Sequence, residues 1–259
     1  RELGLTIKSP DINISEKNFT AHDKNIIFGL SGIKNIGSTA LESICTARTE
    51  KKFTDLLDLC VRTDPRVVNS RVLEHLIFSG ACDTLGGTRA QQHAELSQII
   101  EKAEQIRTQR ETGQLGLFEN PDSSPNDQTP PYQYRSTNIW DNATIITKEK
   151  ESTGCYLTAH PLDKYRTYTQ VLDCSPLSQA QQSGPIKSYG IMSGLRTLYT
   201  KKGDKMAFVQ CEDYTSSGEI VLFPSTFKKV EHWLSEYTIF IIKGTVDQTN
   251  TSICKILAS

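Results

Sequence analysis

The sequence predicts an α + β, multidomain chain, a mainly helical domain followed by a five-stranded β-barrel. Three observations predict it. Between residue 38 and about residue 110 the apolar residues recur at helical spacing. From about residue 185 onward they alternate as in strands. Between the two runs lies a polar stretch, Asn120-Pro121-Asp122-Ser123-Ser124-Pro125-Asn126-Asp127-Gln128-Thr129-Pro130-Pro131, with almost nothing to bury. A chain of 259 residues is long enough for two small cores and a linker.

Residues 1–25 form a turn-rich entry segment, with turn signals at Pro10-Asp11-Ile12-Asn13 and Thr20-Ala21-His22-Asp23. The short apolar run Ile26-Ile27-Phe28-Gly29-Leu30 leads into Ser31-Gly32-Ile33-Lys34-Asn35-Ile36-Gly37. Leu41, Ile44 and Cys45 then fit one helix face, and Phe53, Leu56, Leu57 and Cys60 a second, ending near Asp64-Pro65. Asn69 is placed to cap a helix carrying Val72, Leu73, Leu76 and Ile77, which stops at Gly80. A longer polar helix covers 88–111, with Leu96, Ile99, Ile100, Ala103 and Ile106 on its stripe. Residues 119–138 read as a flexible linker, and 140–168 as helical again, with a further short helix from His160-Pro161.

Five alternating runs follow: 186–195, 206–212, 219–223, 237–246 and 252–257. A helix-like piece, 226–234, separates the third from the fourth. Three strands, a helix and two strands is the order of an OB-fold barrel, with Phe208, Val209, Val221 and Phe240 as its core. The expected domains are therefore a helical one over 1–112, a linker over 113–138, a helical connector over 139–184 and the barrel over 185–259.

The net charge is −1, so any contact with nucleic acid must come from local basic clusters or from backbone amides rather than from an overall basic excess. The seven cysteines form no Cys-x-x-Cys pair, which points to reduced, buried thiols in a reducing compartment and away from a metal site. No run of about 18 apolar residues exists to cross a membrane. The opening Arg-Glu-Leu, without Met, reads as an excised piece of a longer chain.

Three constellations carry chemistry. Ile33-Lys34-Asn35-Ile36-Gly37, followed by Ser38 and a helix, resembles a helix-hairpin-helix motif. Its usual hairpin is Pro-Gly-apolar-Gly. A tight hairpin of this kind can aim backbone N–H groups and a helix start at a phosphate. Asn35 stands in a glycine position but tolerates left-handed dihedrals. Lys34 replaces the usual proline and adds a cation. The same residues also suit an ordinary helix N-terminus. Gln114-Leu115-Gly116-Leu117-Phe118 matches the bacterial sliding-clamp-binding pentapeptide, and also suits a helix C-terminus that tucks Leu117 and Phe118 into its own domain. Leu117 and Phe118 would enter an apolar pocket at about 1.5–3 kcal/mol each, with Gln114 bonding at its edge. Ordering the peptide offsets part of that gain. Finally, Arg196, Tyr199, Lys201, Lys202 and Lys205 crowd the first barrel hairpin, a composition suited to tracking single-strand phosphates and stacking a base. It also suits a solvated hairpin tip.

These features, in this order, resemble the post-catalytic region of the alpha subunit of bacterial DNA polymerase III. The resemblance lies in Phe28 to Gly37, in Val68 to Asp83, in Lys148 to Glu151 with Tyr156 to Asp163, and in Thr200 to Phe208. It implies a duplex-binding helix-hairpin-helix region, an internal clamp motif and an OB domain, in a cytoplasmic DNA-directed DNA polymerase. The implied partners are DNA, the beta sliding clamp and the other holoenzyme subunits, with no membrane. No cofactor is implied in this stretch; Mg2+ would be held by a palm domain whose acidic motifs are not found here, so no residue is assigned a catalytic role. His160, with Pro161 after it, is expected to shape a turn. Two other readings use the same modules: an error-prone or accessory paralogue of the polymerase, and a non-catalytic protein-interaction module.

Overall fold

The computed structural model describes residues 6–22, 24–112, 132–181, 184–247 and 254–259. The chain divides into two compact units, Arg1–Thr158 and Ala159–Ser259.

The first unit opens with three short strands, β1 (Thr6–Lys8), β2 (Thr20–His22) and β3 (Asn25–Ile27). They form one sheet in the order β1-β3-β2, parallel at β1–β3 and antiparallel at β2–β3. The turn expected at 20–23 is thus mostly strand, because pairing with β3 overrides weak local preference. A 3-10 turn at Leu30–Gly32 follows, then α1 (Ser38–Glu50), α2 (Leu56–Arg62) and α3 (Ser70–Ser79). Asn69 caps α3 by accepting from the Val72 amide at 3.1 Å, and Gly80 ends it at φ 84.

The helix expected over 88–111 is two, α4 (Arg89–Ala94) and α5 (Leu96–Thr112), broken at Glu95. Glu95 is buried, and its carboxylate accepts from the Arg135 amide at 2.7 Å, the Ser136 amide and the Tyr132 hydroxyl at 2.9 Å. Residues 132–138, expected to be flexible linker, are therefore docked. Tyr132 and Tyr134 also pack on the core and supply the apolar area that their polar neighbours lack.

The last helix of this unit is α6 (Asn142–Thr153), stopped by Gly154 at φ 78. Helix therefore does not run on to 168. The core gathers Leu30, Ile33, Ile44, Leu56, Leu73, Leu76 and Ile99, all 2% exposed or less. Trp140, Cys155 and Leu157 belong to the same cluster, so the first part of the expected connector is part of this unit.

In the second unit His160 caps a 3-10 turn, Pro161–Tyr165. Its Nδ1 accepts from the Leu162 amide, and Asp163 accepts from the His160 amide. The turn-shaping role expected of His160 follows from that reciprocal cap. Next come α7 (Arg166–Val171) and a 3-10 turn, Leu177–Gln181. The strands are β4 (Pro185–Tyr199), β5 (Lys205–Glu212), β6 (Ser217–Leu222), β7 (Ile239–Val246) and β8 (Cys254–Ala258). Between β6 and β7 lies α8 (Pro224–Val230), followed by a 3-10 turn, Glu231–Trp233.

β4 pairs with both β5 and β7, closing the barrel in the order β4-β5-β6-β8-β7. A bulge between Met192 and Gly194 lets the long β4 serve both neighbours. Met192, Ala207, Val209, Cys211, Ile220, Leu222 and Ile256 fill the inside. Phe208 and Val221, both expected in the core, do not join them. Phe208 alternates with Ala207 and Val209 and so faces outward, opposite Val221, with the Arg196 guanidinium 5.0 Å from its ring centroid and Lys255 Nζ 5.4 Å from it.

All seven cysteines are free thiols, and Cys60, Cys82 and Cys211 are buried. Burial pushes Cys60 and Cys211 up to about 12, which keeps both protonated. No helix among the described residues is long and apolar enough to cross a membrane.

Candidate nucleic-acid interface

The hairpin of 33–37 is built between a buried anchor and an open end. Ile33 is 2% exposed, Ile36 packs partly on the core, and Lys34, Asn35, Gly37 and Ser38 are exposed. Gly29 fixes the approach. A Cβ there would strike the Asn18–Phe19 backbone, so only glycine lets the two segments pack before the turn. Asn35 takes φ 65, the left-handed geometry its side chain tolerates.

Two tertiary hydrogen bonds hold this shape. The Lys34 amide donates to the Ser152 carbonyl on α6 at 2.7 Å. The Asn35 side chain meets His75 Nε2 on α3 at 2.7 Å.

Lys34 and Asn35 are the central residues of a hydrogen-bonded turn, which leaves the amides of Asn35 and Gly37 without an acceptor among the described residues. Gly37 is the N-cap of α1 and offers no side-chain bond. The first turn of the 13-residue helix carries no acidic residue, so no side-chain charge opposes an anion at its start. Gly37 itself has φ −77, which any residue adopts, and a Cβ there would meet nothing within 4 Å. The glycine is thus not required by the fold; it leaves space beside the unengaged N–H groups. Together with the Lys34 side chain, this arrangement can hold an anion such as a phosphate without reading a base.

The clamp-motif residues Gln114, Leu115, Leu117 and Phe118 lie outside the described residues. The single-strand candidates fall on the barrel's first hairpin but are not equivalent. Arg196 through Tyr199 continue strand β4, and only Thr200–Asp204 form the turn, with Gly203 at φ 86. Tyr199 is 74% exposed, and Lys201 and Lys202 are exposed beside it. Arg196 lies over Phe208 on the outward face. Lys205 is engaged, 2.5 Å from Glu231 and over the Phe227 ring at 5.3 Å.

Two contributors escaped the sequence reading. His75 and Ser152 stand far along the chain from the hairpin they hold, with nothing local to mark them.

Residues 4–92 match a family model described as a helix-hairpin-helix motif. The DNA polymerase III subunit alpha of Escherichia coli O157:H7 is 31% identical over 254 residues, covering 94% of this chain and 21% of that protein. The same subunit of Bacillus subtilis (strain 168) is 32% identical over 257 residues, 98% of this chain and 22% of that protein. That of Vibrio cholerae serotype O1 is 29% identical over 251 residues, 95% and 22% respectively. The chain spans about a fifth of the length of these relatives. Along nearly its whole length, then, the chain is homologous to one segment of the alpha subunit of bacterial DNA polymerase III, with a helix-hairpin-helix region at its start.

Proposed function

We propose that this chain is the DNA- and clamp-handling segment of a bacterial replicative polymerase, and that it supports processive synthesis without itself carrying catalytic groups. The hairpin of Lys34 to Ser38 grips duplex backbone. Gln114, Leu115, Leu117 and Phe118 bind the beta sliding clamp. The barrel hairpin, through Arg196, Tyr199, Lys201, Lys202 and Lys205, follows single-stranded template. The parent polymerase is a cytoplasmic, Mg2+-dependent nucleotidyltransferase, and its metal belongs to a palm domain. Its other partners are the remaining holoenzyme subunits.

The observation that carries the duplex reading is the pair of exposed amides at Asn35 and Gly37 with no acceptor among the described residues, at a start of α1 that has no side-chain cap. Such contacts bind duplexes regardless of sequence, with an affinity that falls steeply with salt. The test is binding of the chain to two duplexes of unrelated sequence from low to physiological salt. Equal affinities and a linear fall of log K with log salt are expected. No binding at low salt, or a strong sequence preference, overturns the reading. For the clamp, Leu117→Ala with Phe118→Ala should abolish binding to the purified ring while leaving duplex binding intact. An unchanged clamp affinity removes that part of the proposal.

A further inference from the structure

We infer that His75 is a positioning residue for the phosphate-gripping hairpin, acting through Asn35. The inference rests on the duplex reading above. The Arg71 carbonyl can only accept, so His75 Nδ1, 2.9 Å away, carries the ring proton. In the neutral ring Nε2 is then an acceptor, and the Asn35 side-chain N–H donates to it at 2.7 Å. Both ring nitrogens are thereby used within the protein, so His75 has no free donor with which to meet a phosphate.

What it holds is the one residue of the hairpin in a left-handed conformation, Asn35 at φ 65. An isolated chain would visit that geometry only part of the time. The support is rigid. α3 is capped by Asn69, ended by Gly80, and buries Val72, Leu73, Leu76 and Ile77 in the core, while the His75 ring lies 6.1 Å from that of Phe78. With the Lys34 amide fixed on Ser152 and Ile36 packed on the core, the His75 bond completes a three-point anchorage. The amides of Asn35 and Gly37 are left unengaged in a fixed shape before any ligand arrives. Preorganisation of this kind raises affinity by removing the ordering cost from the binding step.

The experiment measures duplex affinity against salt for the wild-type chain and for His75→Ala, His75→Gln, Asn35→Gly and the His75→Ala/Asn35→Gly pair, with melting temperatures as the check on folding. His75→Ala should weaken binding about tenfold and leave the slope of log K against log salt unchanged, since no cation on phosphate is lost. His75→Gln, whose side-chain oxygen can accept from Asn35, should recover part of the loss. In the Asn35→Gly background His75→Ala should add nothing, because the bond it serves is already gone. Equal losses in both backgrounds, a shallower salt slope, or wild-type affinity in His75→Ala overturns the inference. If Gly37→Ala and Lys34→Ala weaken binding while His75→Ala does not, the hairpin reading stands and the role of His75 falls. If none of the three changes binding, the hairpin reading falls with it.

Discussion

Glu149 on α6 is fully buried and holds the Arg89 guanidinium at 2.9 Å. Arg89, at the start of α4, also binds Asp83 at 2.7 Å. The same carboxylate accepts from the Thr158 amide at 3.0 Å and from its hydroxyl. α6, which supplies Ser152 to the hairpin, is thus pinned through a buried charge. A pair of this kind adds modest net stability, but removing one partner leaves the other charge uncompensated. Glu149→Ala should therefore cost about 3–5 kcal/mol and lower the first unit's melting temperature by about 10 °C. A drop under about 2 °C in calorimetry would show that the network is not holding α6.

Gly37→Ala separates binding from folding. The Cβ meets nothing inside the protein. Alanine caps a helix less well than glycine but narrows the unfolded ensemble, two effects of about 0.5–1 kcal/mol and opposite sign. The melting temperature should stay within about 2 °C while duplex affinity falls about tenfold, as the methyl group fills the approach to the amides. Undiminished affinity would mean that phosphate does not approach there.

Glu95 gives a pH dependence. Burial raises its pKa, but the Ser136 amide, the Tyr132 hydroxyl and the Arg135 amide outweigh burial and hold the carboxyl below its ordinary 4.5. For a depressed carboxyl the stabilisation is complete above the unfolded value and is lost as pH falls through the folded one. Glu95→Gln should therefore destabilise the chain at pH 7, and the gap to wild type should close as pH drops below about 4.5. A gap independent of pH, in melting curves from pH 7 to 3, would contradict this.

Tyr199→Ala tests the barrel hairpin. An exposed aromatic that stacks a base contributes about 1–3 kcal/mol, or about 5- to 150-fold in single-strand affinity. Lys201→Ala and Lys202→Ala should each flatten the salt slope by about 0.7. Lys205→Ala should matter less, since Glu231 already neutralises it. Unchanged single-strand binding in Tyr199→Ala would assign that face to another ligand.

The sequence by itself determined the elements that depend on local physics. Helical periodicity placed Val72, Leu73, Leu76 and Ile77 inside α3, and Asn69 and Gly80 announced its ends, because caps and amphipathic spacing act within a few residues. Strand alternation and order likewise announced the barrel, and the departure from a glycine at Asn35 announced a left-handed turn. Only the tertiary structure decided where Glu95 would break a helix to seat Tyr132, Arg135 and Ser136, and that Phe208 would face out beneath Arg196 and Lys255. It alone brought His75 and Ser152 to the hairpin. Those contacts join residues far apart in the chain, and a hydrogen bond closed by long-range packing leaves no periodic trace in the sequence that makes it.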